Sequence, residues 1–305
     1  MISLIFPAFN EEGNIEVLYD KVKDAINSTN GLDFEFIFVD DCSSDNTPLI
    51  LSRMHERDKR VKVIRFARNF GSHAALACGL NNCKGKAAIV MAADLQDPPQ
   101  LIPQLIGEWQ KGSKVVWGAR NKREGESLLT KILAGFYYTL MNWLTTVKLP
   151  PRGADVFLVD KNVIDAFRQV TEKHTSVFMT IAWLGFKQST IYYDKKERFS
   201  GKSKWSLKKK LKLTVDSLLS FSDVPVRYMA ITGFLFAFLG FSYALFIFWL
   251  HANGSPVTGW SSLMVVILVV GGIQMMTLGV LGEYLWRTFD ESRRRPRYVI
   301  EYKVE

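Results

Sequence analysis

The sequence has few of the residues that stabilise small secreted proteins or dominate low-complexity chains. Its 305 residues include three cysteines, Cys42, Cys78 and Cys83, which are too few for a disulfide framework and fit no zinc signature. We therefore expect reduced thiols. With 21 glycines and 10 prolines, the chain is neither collagen-like nor of low complexity. The first dozen residues lack a basic leader, so we expect them to form a buried strand and not a signal peptide.

Positive charge exceeds negative charge along the chain. Lys and Arg number 39 against 30 Asp and Glu, which gives a net charge of +9, and hydrophobic residues make up 48%. The apolar content excludes a disordered protein. The basic balance is typical of proteins that bind nucleic acid, anionic lipid or a phosphorylated substrate, and the distribution of the charge decides between them.

Two long uncharged segments occupy the C-terminal part of the chain. Residues 229–250 and 260–282 are each long enough to cross the hydrocarbon core as a helix, and the loop between them has no Lys or Arg. Nine Lys or Arg lie within 195–212, and five arginines follow the second segment. The positive-inside rule predicts two transmembrane helices with both flanks in the cytoplasm, although a buried helical hairpin is the alternative. The charge is then explained by anionic membrane lipid, and we expect no nucleic-acid partner.

Two more stretches are candidates for the membrane interface. Residues 206–222 and 128–147 have apolar or aromatic side chains at helical spacing, which suits either the headgroup region or an ordinary core helix. We therefore expect four parts: an N-terminal cytosolic domain (1–205), a juxtamembrane amphipathic helix (206–228), two transmembrane helices (229–286) and a basic cytosolic tail (287–305).

Short runs rich in Val, Ile and Phe alternate with segments of helical periodicity over the first 120 residues. This order predicts right-handed strand–helix–strand units and an α/β fold with a mostly parallel sheet. Ligands of such sheets bind beyond the carboxyl ends of the strands. Polar residues follow the apolar runs at 7–12, 40–44, 68–71, 94–97 and 118–123.

Two acidic clusters at these strand ends carry the predicted chemistry. Asp40 and Asp41 can accept hydrogen bonds from a nucleobase and ribose, whereas helix capping accounts for the polar residues that follow them. Asp94 and Gln96 supply oxygen ligands of the kind that Mg²⁺ or Mn²⁺ uses when a diphosphate completes its coordination shell. A turn rich in Asp and Pro is the alternative for either cluster alone.

The motifs PAFNEEGNI, VDDCSSDNT, RNFG, DLQDPP and RFSGKSKW stand in this order before the two apolar segments. They resemble the polyprenyl-phosphate glycosyltransferases of glycosyltransferase family 2, which include dolichol-phosphate mannose synthase and have the GT-A fold. The C-terminus looks most like the bactoprenol glucosyltransferase branch. The resemblance implies transfer of one sugar, expected to be glucose from UDP-glucose, to undecaprenyl or another polyprenyl phosphate. It also implies a divalent metal and a multi-pass inner-membrane protein with a cytoplasmic catalytic domain and cytoplasmic termini.

Matched by motif position, the resemblance assigns roles to individual residues. The nucleotide is expected at Pro7, Glu11, Asp40 and Asp41, the metal at Asp94 and Gln96, and the donor phosphates at Arg120 and Arg123. The acceptor is expected at Arg198, Ser203 and Lys204, with Asp155 nearby, and the catalytic set is Asp94, Asp155, Arg198 and Lys204. Ala92 stands where many relatives have a further Asp, so we expect either a weaker metal affinity or a coordination shell completed by water and donor phosphates.

The chemistry of the acceptor limits what the protein must supply. A phosphate monoester is already anionic at pH 7, so it can attack the anomeric carbon with inversion and without a strong general base. We expect catalysis by orientation and charge neutralisation, with Asp155 orienting basic groups or the acceptor. The alternatives are a processive membrane polysaccharide synthase and a non-catalytic, membrane-anchored nucleotide-sugar binder. Glycines in both apolar segments make a homo-oligomer possible.

Overall fold

The computed structural model describes residues 1–27, 29, 31–121, 150, 153–173, 175–195, 224–253 and 259–305. The chain divides into two units, the first comprising Met1–Ser220 and Pro296–Glu305 and the second Phe221–Arg295. The last ten residues therefore belong to the first unit, although they follow the second unit in sequence.

The first unit is built on a mixed β-sheet, to which the described residues contribute eight strands. These are β1 (Ile2–Ala8), β2 (Phe34–Asp40), β3 (Val61–Phe66), β4 (Ala87–Val90), β5 (Val115–Arg120), β6 (Ala154–Asp160), β7 (Gln188–Tyr193) and β8 (Ile300–Val304). Their order across the sheet is β7-β5-β6-β4-β1-β2-β3-β8. Strands β1 to β4 run in one direction, and so do β5 and β7 as a pair.

Helices follow the parallel strands as the alternating pattern predicts. The first unit contains α1 (Ile15–Ile26), α2 (Thr47–Arg57), α3 (Ser72–Asn82), α4 (Leu101–Gln110), α5 (Lys161–Arg168) and α6 (Val177–Trp183). In α1, Leu18 and Val22 are one helical turn apart and both are fully buried. The rings of Phe6 and Phe38 stack with centroids 5.0 Å apart, which joins the central strands β1 and β2 in the core.

The sheet is mostly parallel, as the sequence predicts, and two of its described strands run the other way. Strand β6 lies between β4 and β5 and is antiparallel to both, and β8 is antiparallel to β3. Because β6 runs in the reverse direction, its first residues lie at the edge where β4 and β5 end. The same geometry brings the first residues of β8 to the carboxyl end of β3, where Phe66 pairs with Ile300.

The second unit contains two long helices, α7 (Val224–Ala252) and α8 (Trp260–Ser292). Among the described residues, one segment is long and apolar enough to cross a membrane, Tyr228–Ile247 in α7, with a mean hydropathy of 2.0. The second predicted span, 260–282, lies within α8, and its crossing of a membrane stays a prediction, as do the domain boundaries. The predicted interfacial stretches 128–147 and 206–222 lie entirely outside the described residues.

Candidate active site

The predicted site residues that the structure describes lie at one edge of the sheet. They follow or end the parallel strands, or begin the reversed strand β6: Pro7, Glu11, Asp40, Asp41, Asp94, Gln96, Arg120 and Asp155. The other four predicted residues, Arg123, Arg198, Ser203 and Lys204, lie outside the described residues. Their roles stay predictions.

Left-handed backbone conformations mark three of the loops at this edge. Asn10 after β1, Cys42 after β2 and Leu95 after β4 have φ angles of 52°, 60° and 59°. Such values are uncommon for residues other than glycine and persist where the surrounding structure enforces them, often at ligand sites. No pattern in the sequence indicated these left-handed residues. Their position supports the view that this edge of the sheet is the functional one.

The loops after β1 and β2 are joined by reciprocal hydrogen bonds. The Asn10 N–H donates to Ser43 Oγ at 2.8 Å, and the Ser44 N–H donates to Asn10 Oδ1 at 2.8 Å. The Glu11 N–H donates to Thr47 Oγ1 at 2.9 Å. These bonds make the two predicted nucleotide-binding loops into one connected structure, because a shift of either loop would break contacts in the other.

Asp40 and Asp41 use their carboxylates to shape these loops. Asp40 is fully buried, and its Oδ1 accepts from the Ser43 N–H at 3.0 Å while Oδ2 accepts from Arg65. The carboxylate of Asp41 accepts two backbone N–H groups of the RNFG loop, residues 68–71, at 2.6 and 2.9 Å. Direct contact between either carboxylate and a nucleotide stays a prediction, and the geometry favours an indirect role for Asp40.

The loop after β4 holds the predicted metal ligands. Asp94 is buried, and its Oδ1 accepts from the Gln96 N–H at 3.3 Å across the left-handed Leu95. Asp97 is fully buried; its Oδ1 accepts from the Tyr193 hydroxyl, and its Oδ2 has no hydrogen-bond partner among the described residues. A tight turn therefore concentrates carboxylate and amide oxygens at this strand end.

These oxygens are hard donors of the kind that Mg²⁺ and Mn²⁺ prefer. Across the described ranges, no group of three or more His, Cys, Asp and Glu side chains is arranged to hold a metal. The residues fit a cation that takes few ligands from the protein and most from water and substrate, as expected with Ala92 in place of a further carboxylate.

An ion-pair network lies beside this loop. Arg120 at the end of β5 contacts Asp155 through two nitrogens, with Nη2 donating to Oδ1 at 2.8 Å. Lys195, two residues after β7, places its Nζ 2.9 Å from Asp155 Oδ2 and 3.7 Å from Asp97 Oδ1. The network links the ends of β5 and β7 and the start of β6 to the loop after β4.

The charges in this network shift the two carboxyl groups in opposite directions. Burial alone would raise the pKa of Asp155, but the Arg120 hydrogen bonds and the Lys195 charge outweigh it and lower that pKa. Burial raises the pKa of Asp97 despite the opposing charge of Lys195. Asp155 is therefore ionised at neutral pH and is a weak proton acceptor.

Three members of the network were missed from sequence. Asp97, Tyr193 and Lys195 are not among the predicted site residues, yet they contact Asp155 or one another. Asp97 stands within the DLQDPP motif and Lys195 opens the basic stretch 195–212, so a signal was present. What was lacking was the strand order that makes β7 the neighbour of β5.

Comparison with known proteins identifies the family. The family model described as glycosyl transferase family 2 matches residues 3–166. An uncharacterized glycosyltransferase of Bacillus subtilis is 38% identical, covering 99% of this chain and 94% of its own. The bactoprenol glucosyl transferase of Shigella phage SfV is 35% identical, covering 98% of both chains. The chain belongs to glycosyltransferase family 2.

The fold agrees with this assignment. The structure is similar to that of mannosyl-3-phosphoglycerate synthase from Rubrobacter xylanophilus, with a TM-score of 0.51 and 17% identity over 71% of each chain. The predicted GT-A, Rossmann-like α/β fold is therefore confirmed, and the enzyme is a glycosyltransferase, as the motifs predict. The strained loops and the ion-pair network thus lie where a GT-A sheet presents its strand ends to substrates.

Proposed function

We propose that this glycosyltransferase transfers one glucose from UDP-glucose to undecaprenyl or another polyprenyl phosphate, with inversion at the anomeric carbon. The observation that carries the proposal is the state of Asp155, which Arg120 and Lys195 hold as a carboxylate. An Asp155 held in this way is a weak base, which suits a nucleophile that is already ionised, and a lipid phosphate monoester is such a nucleophile at neutral pH.

The similarity to the phage bactoprenol glucosyl transferase supports the choice of acceptor and sugar, since the alignment covers 98% of both chains. The apolar segment Tyr228–Ile247 supports a membrane location, which a polyprenyl phosphate requires. We propose a second span in α8 because the uncharged segment 260–282 is long enough to cross the membrane. We propose a cytoplasmic catalytic domain and binding to anionic lipid because Lys and Arg are concentrated on the flanks of the two apolar segments.

The donor site is proposed at the loops after β1, β2 and β4. Asp94 and Gln96 would hold Mg²⁺ or Mn²⁺, which when bound neutralises charge on the departing diphosphate. Arg120 and Lys195 add positive charge at the same edge, and their contacts with Asp155 restrict how they move. The protein thereby orients two anionic substrates and lowers their mutual repulsion.

The test of the reaction uses the full-length protein in detergent with radiolabelled UDP-glucose, undecaprenyl phosphate and MgCl₂. We expect label in an organic-soluble lipid whose anomeric configuration, read by NMR, is inverted. Labelled polymer would identify a processive synthase instead, and UDP-glucose binding without transfer would identify a non-catalytic binder. A panel of other sugar nucleotides, assayed by product mass, tests the choice of glucose and uridine.

The metal is tested with Asp94→Asn and chelation. We expect EDTA to abolish transfer, and Asp94→Asn to raise the half-saturating Mg²⁺ concentration by at least about 10- to 100-fold, the range for loss of an outer-shell partner of a metal ligand. Asp165→Asn is the matched control, since Asp165 is half exposed on α5 and pairs with Lys161. Wild-type turnover in EDTA would contradict the metal requirement.

A further inference from the structure

The C-terminal strand attaches directly to the strand beside the proposed nucleotide pocket. In the antiparallel pairing of β3 with β8, Arg65 stands opposite Tyr302 and Phe66 opposite Ile300. The ring of Tyr298 stacks on Phe66 with centroids 5.0 Å apart. The end of the chain is thus an ordered edge of the sheet, although its sequence predicts only a basic tail.

Arg65 uses its guanidinium to join this strand to the loop after β2. Its Nε donates to Glu301 Oε2 at 2.9 Å, its Nη1 to Asp40 Oδ2, and its Nη2 to the Ser43 carbonyl at 3.2 Å. The Arg65 side chain is 18% exposed, whereas that of Asp40 is fully buried. In the described part of the chain, Arg65 is the cation that pairs with Asp40.

A buried carboxylate requires such a partner, because an ionised group without one is strongly unfavourable away from water. The Asp40 carboxylate in turn accepts a hydrogen bond from the backbone N–H of Ser43. The Ser43 Oγ accepts one from the backbone N–H of Asn10, in the loop that contains Glu11. A continuous set of contacts therefore runs from Glu301 through Arg65 and Asp40 to both loops of the proposed pocket.

We propose that Arg65 is a positioning residue of the nucleotide pocket and that the C-terminal strand, through Glu301, holds its side chain in place. The inference rests on the proposed function, since it takes the loops after β1 and β2 as the donor site. The planar fork of Arg65 reaches three acceptors at once, and a lysine ammonium would keep the charge without that geometry.

The first test is Arg65→Lys in the full-length protein. We expect the KM for UDP-glucose to rise about tenfold, as for the loss of charge-assisted hydrogen bonds, while kcat stays within about twofold. The reason is that the loops order the donor before reaction and touch no reacting atom. A destabilised fold would instead lower the fraction of active enzyme, and so kcat, without a selective rise in KM.

The second test compares Glu301→Gln with Glu305→Gln. Glu301 is 52% exposed, so its ion pair is of the weak surface class and we expect a two- to fivefold rise in KM, about the effect of such pairs. Glu305 lies on the same chain end, is 50% exposed and pairs with Lys84 at 3.1 Å, so its variant keeps the wild-type KM. This comparison decides the question if Arg65→Lys fails to fold.

Binding of UDP, measured by isothermal titration calorimetry, separates this inference from the proposed function. Weaker UDP binding by Arg65→Lys and Glu301→Gln, but not by Glu305→Gln, supports the inference. Unchanged UDP binding by Arg65→Lys and Glu301→Gln, or equal effects at Glu301 and Glu305, overturns the inference alone. If the wild type neither binds UDP nor transfers glucose, the proposed function fails.

Discussion

The substitution Asp155→Asn separates a catalytic base from an ion-pair anchor. Asparagine keeps the shape of the side chain and removes the charge that Arg120 and Lys195 contact. If Asp155 is an anchor, the variant loses stability and binds the donor less well, because Arg120 and Lys195 both lose their contact with its negative charge. If it is a base, the chemical step alone is lost.

The expected loss of unfolding free energy in Asp155→Asn depends on how far the side chains of the ion-pair network are exposed to solvent. Removing one partner of a fully buried pair costs about 3–5 kcal/mol, whereas exposed pairs contribute up to about 1 kcal/mol. The side chains of Arg120, Lys195 and Asp155 are 22%, 17% and 25% exposed, which places this network between the two classes. We expect the free energy of unfolding to fall by about 2 kcal/mol, and the unfolding midpoint by about 4–8 °C for a domain of this size.

The assay combines thermal unfolding in detergent with the pH dependence of kcat between pH 5 and 9. Because the pKa of Asp155 is already lowered, its ionisation is complete across this range, and we expect it to contribute no limb to the wild-type pH profile. An unfolding midpoint equal to that of the wild type, together with a large loss of kcat at unchanged UDP affinity, would refute the anchor role.

Two further predictions concern stability. Burial, with a smaller contribution from the charge of Arg297, lowers the pKa of His73 to about 4, below its ordinary value of 6.5. The unfolded state therefore binds more protons, so stability present at pH 7 falls by about 2 kcal/mol by pH 5; His73→Gln removes most of this slope in denaturant titrations, and an equal slope would contradict the assignment. At Gly85 an added Cβ would lie 2.7 Å from the Ser3 backbone nitrogen, so Gly85→Ala costs about 1–3 kcal/mol. Gly107→Ala, where nothing lies within 4 Å, does not destabilise, and equal unfolding midpoints for the two variants would count against the steric argument.

The regular elements of the first 120 residues were predictable because their signals are local. The apolar run at 34–39 forms β2 (Phe34–Asp40), and the periodic segment at 72–81 forms α3 (Ser72–Asn82). A strand buried on both faces, such as β2, leaves a continuous apolar run, and a helix that packs one face on the core leaves apolar residues three and four positions apart. The reversed strand β6 and the edge strand β8 left no comparable signal of their position, since neighbours in a sheet are chosen by long-range packing.

The candidate site was predictable in part for the same reason. Acids at the ends of β2 and β4 were found because strand ends can be located from the pattern and ligands bind there. Their partners were not found: Arg65 is 25 residues from Asp40, and Lys195 is 40 residues from Asp155. Ion pairs of this kind depend on which strands become neighbours.

The sequence by itself determined the family through the order of its motifs, and the α/β class and the strand ends that hold the acids through the alternation of apolar runs with periodic segments. Each of these signals lies within a short stretch of chain. Only the tertiary structure decided what those acids do. It buried Asp40 against Arg65, gave Asp155 two cations, and brought Glu301, 236 residues away in sequence, to the side of Arg65. The physical reason is that the charge state and the reach of a carboxylate are set by the groups around it, and those groups come from strands that meet only when the sheet assembles.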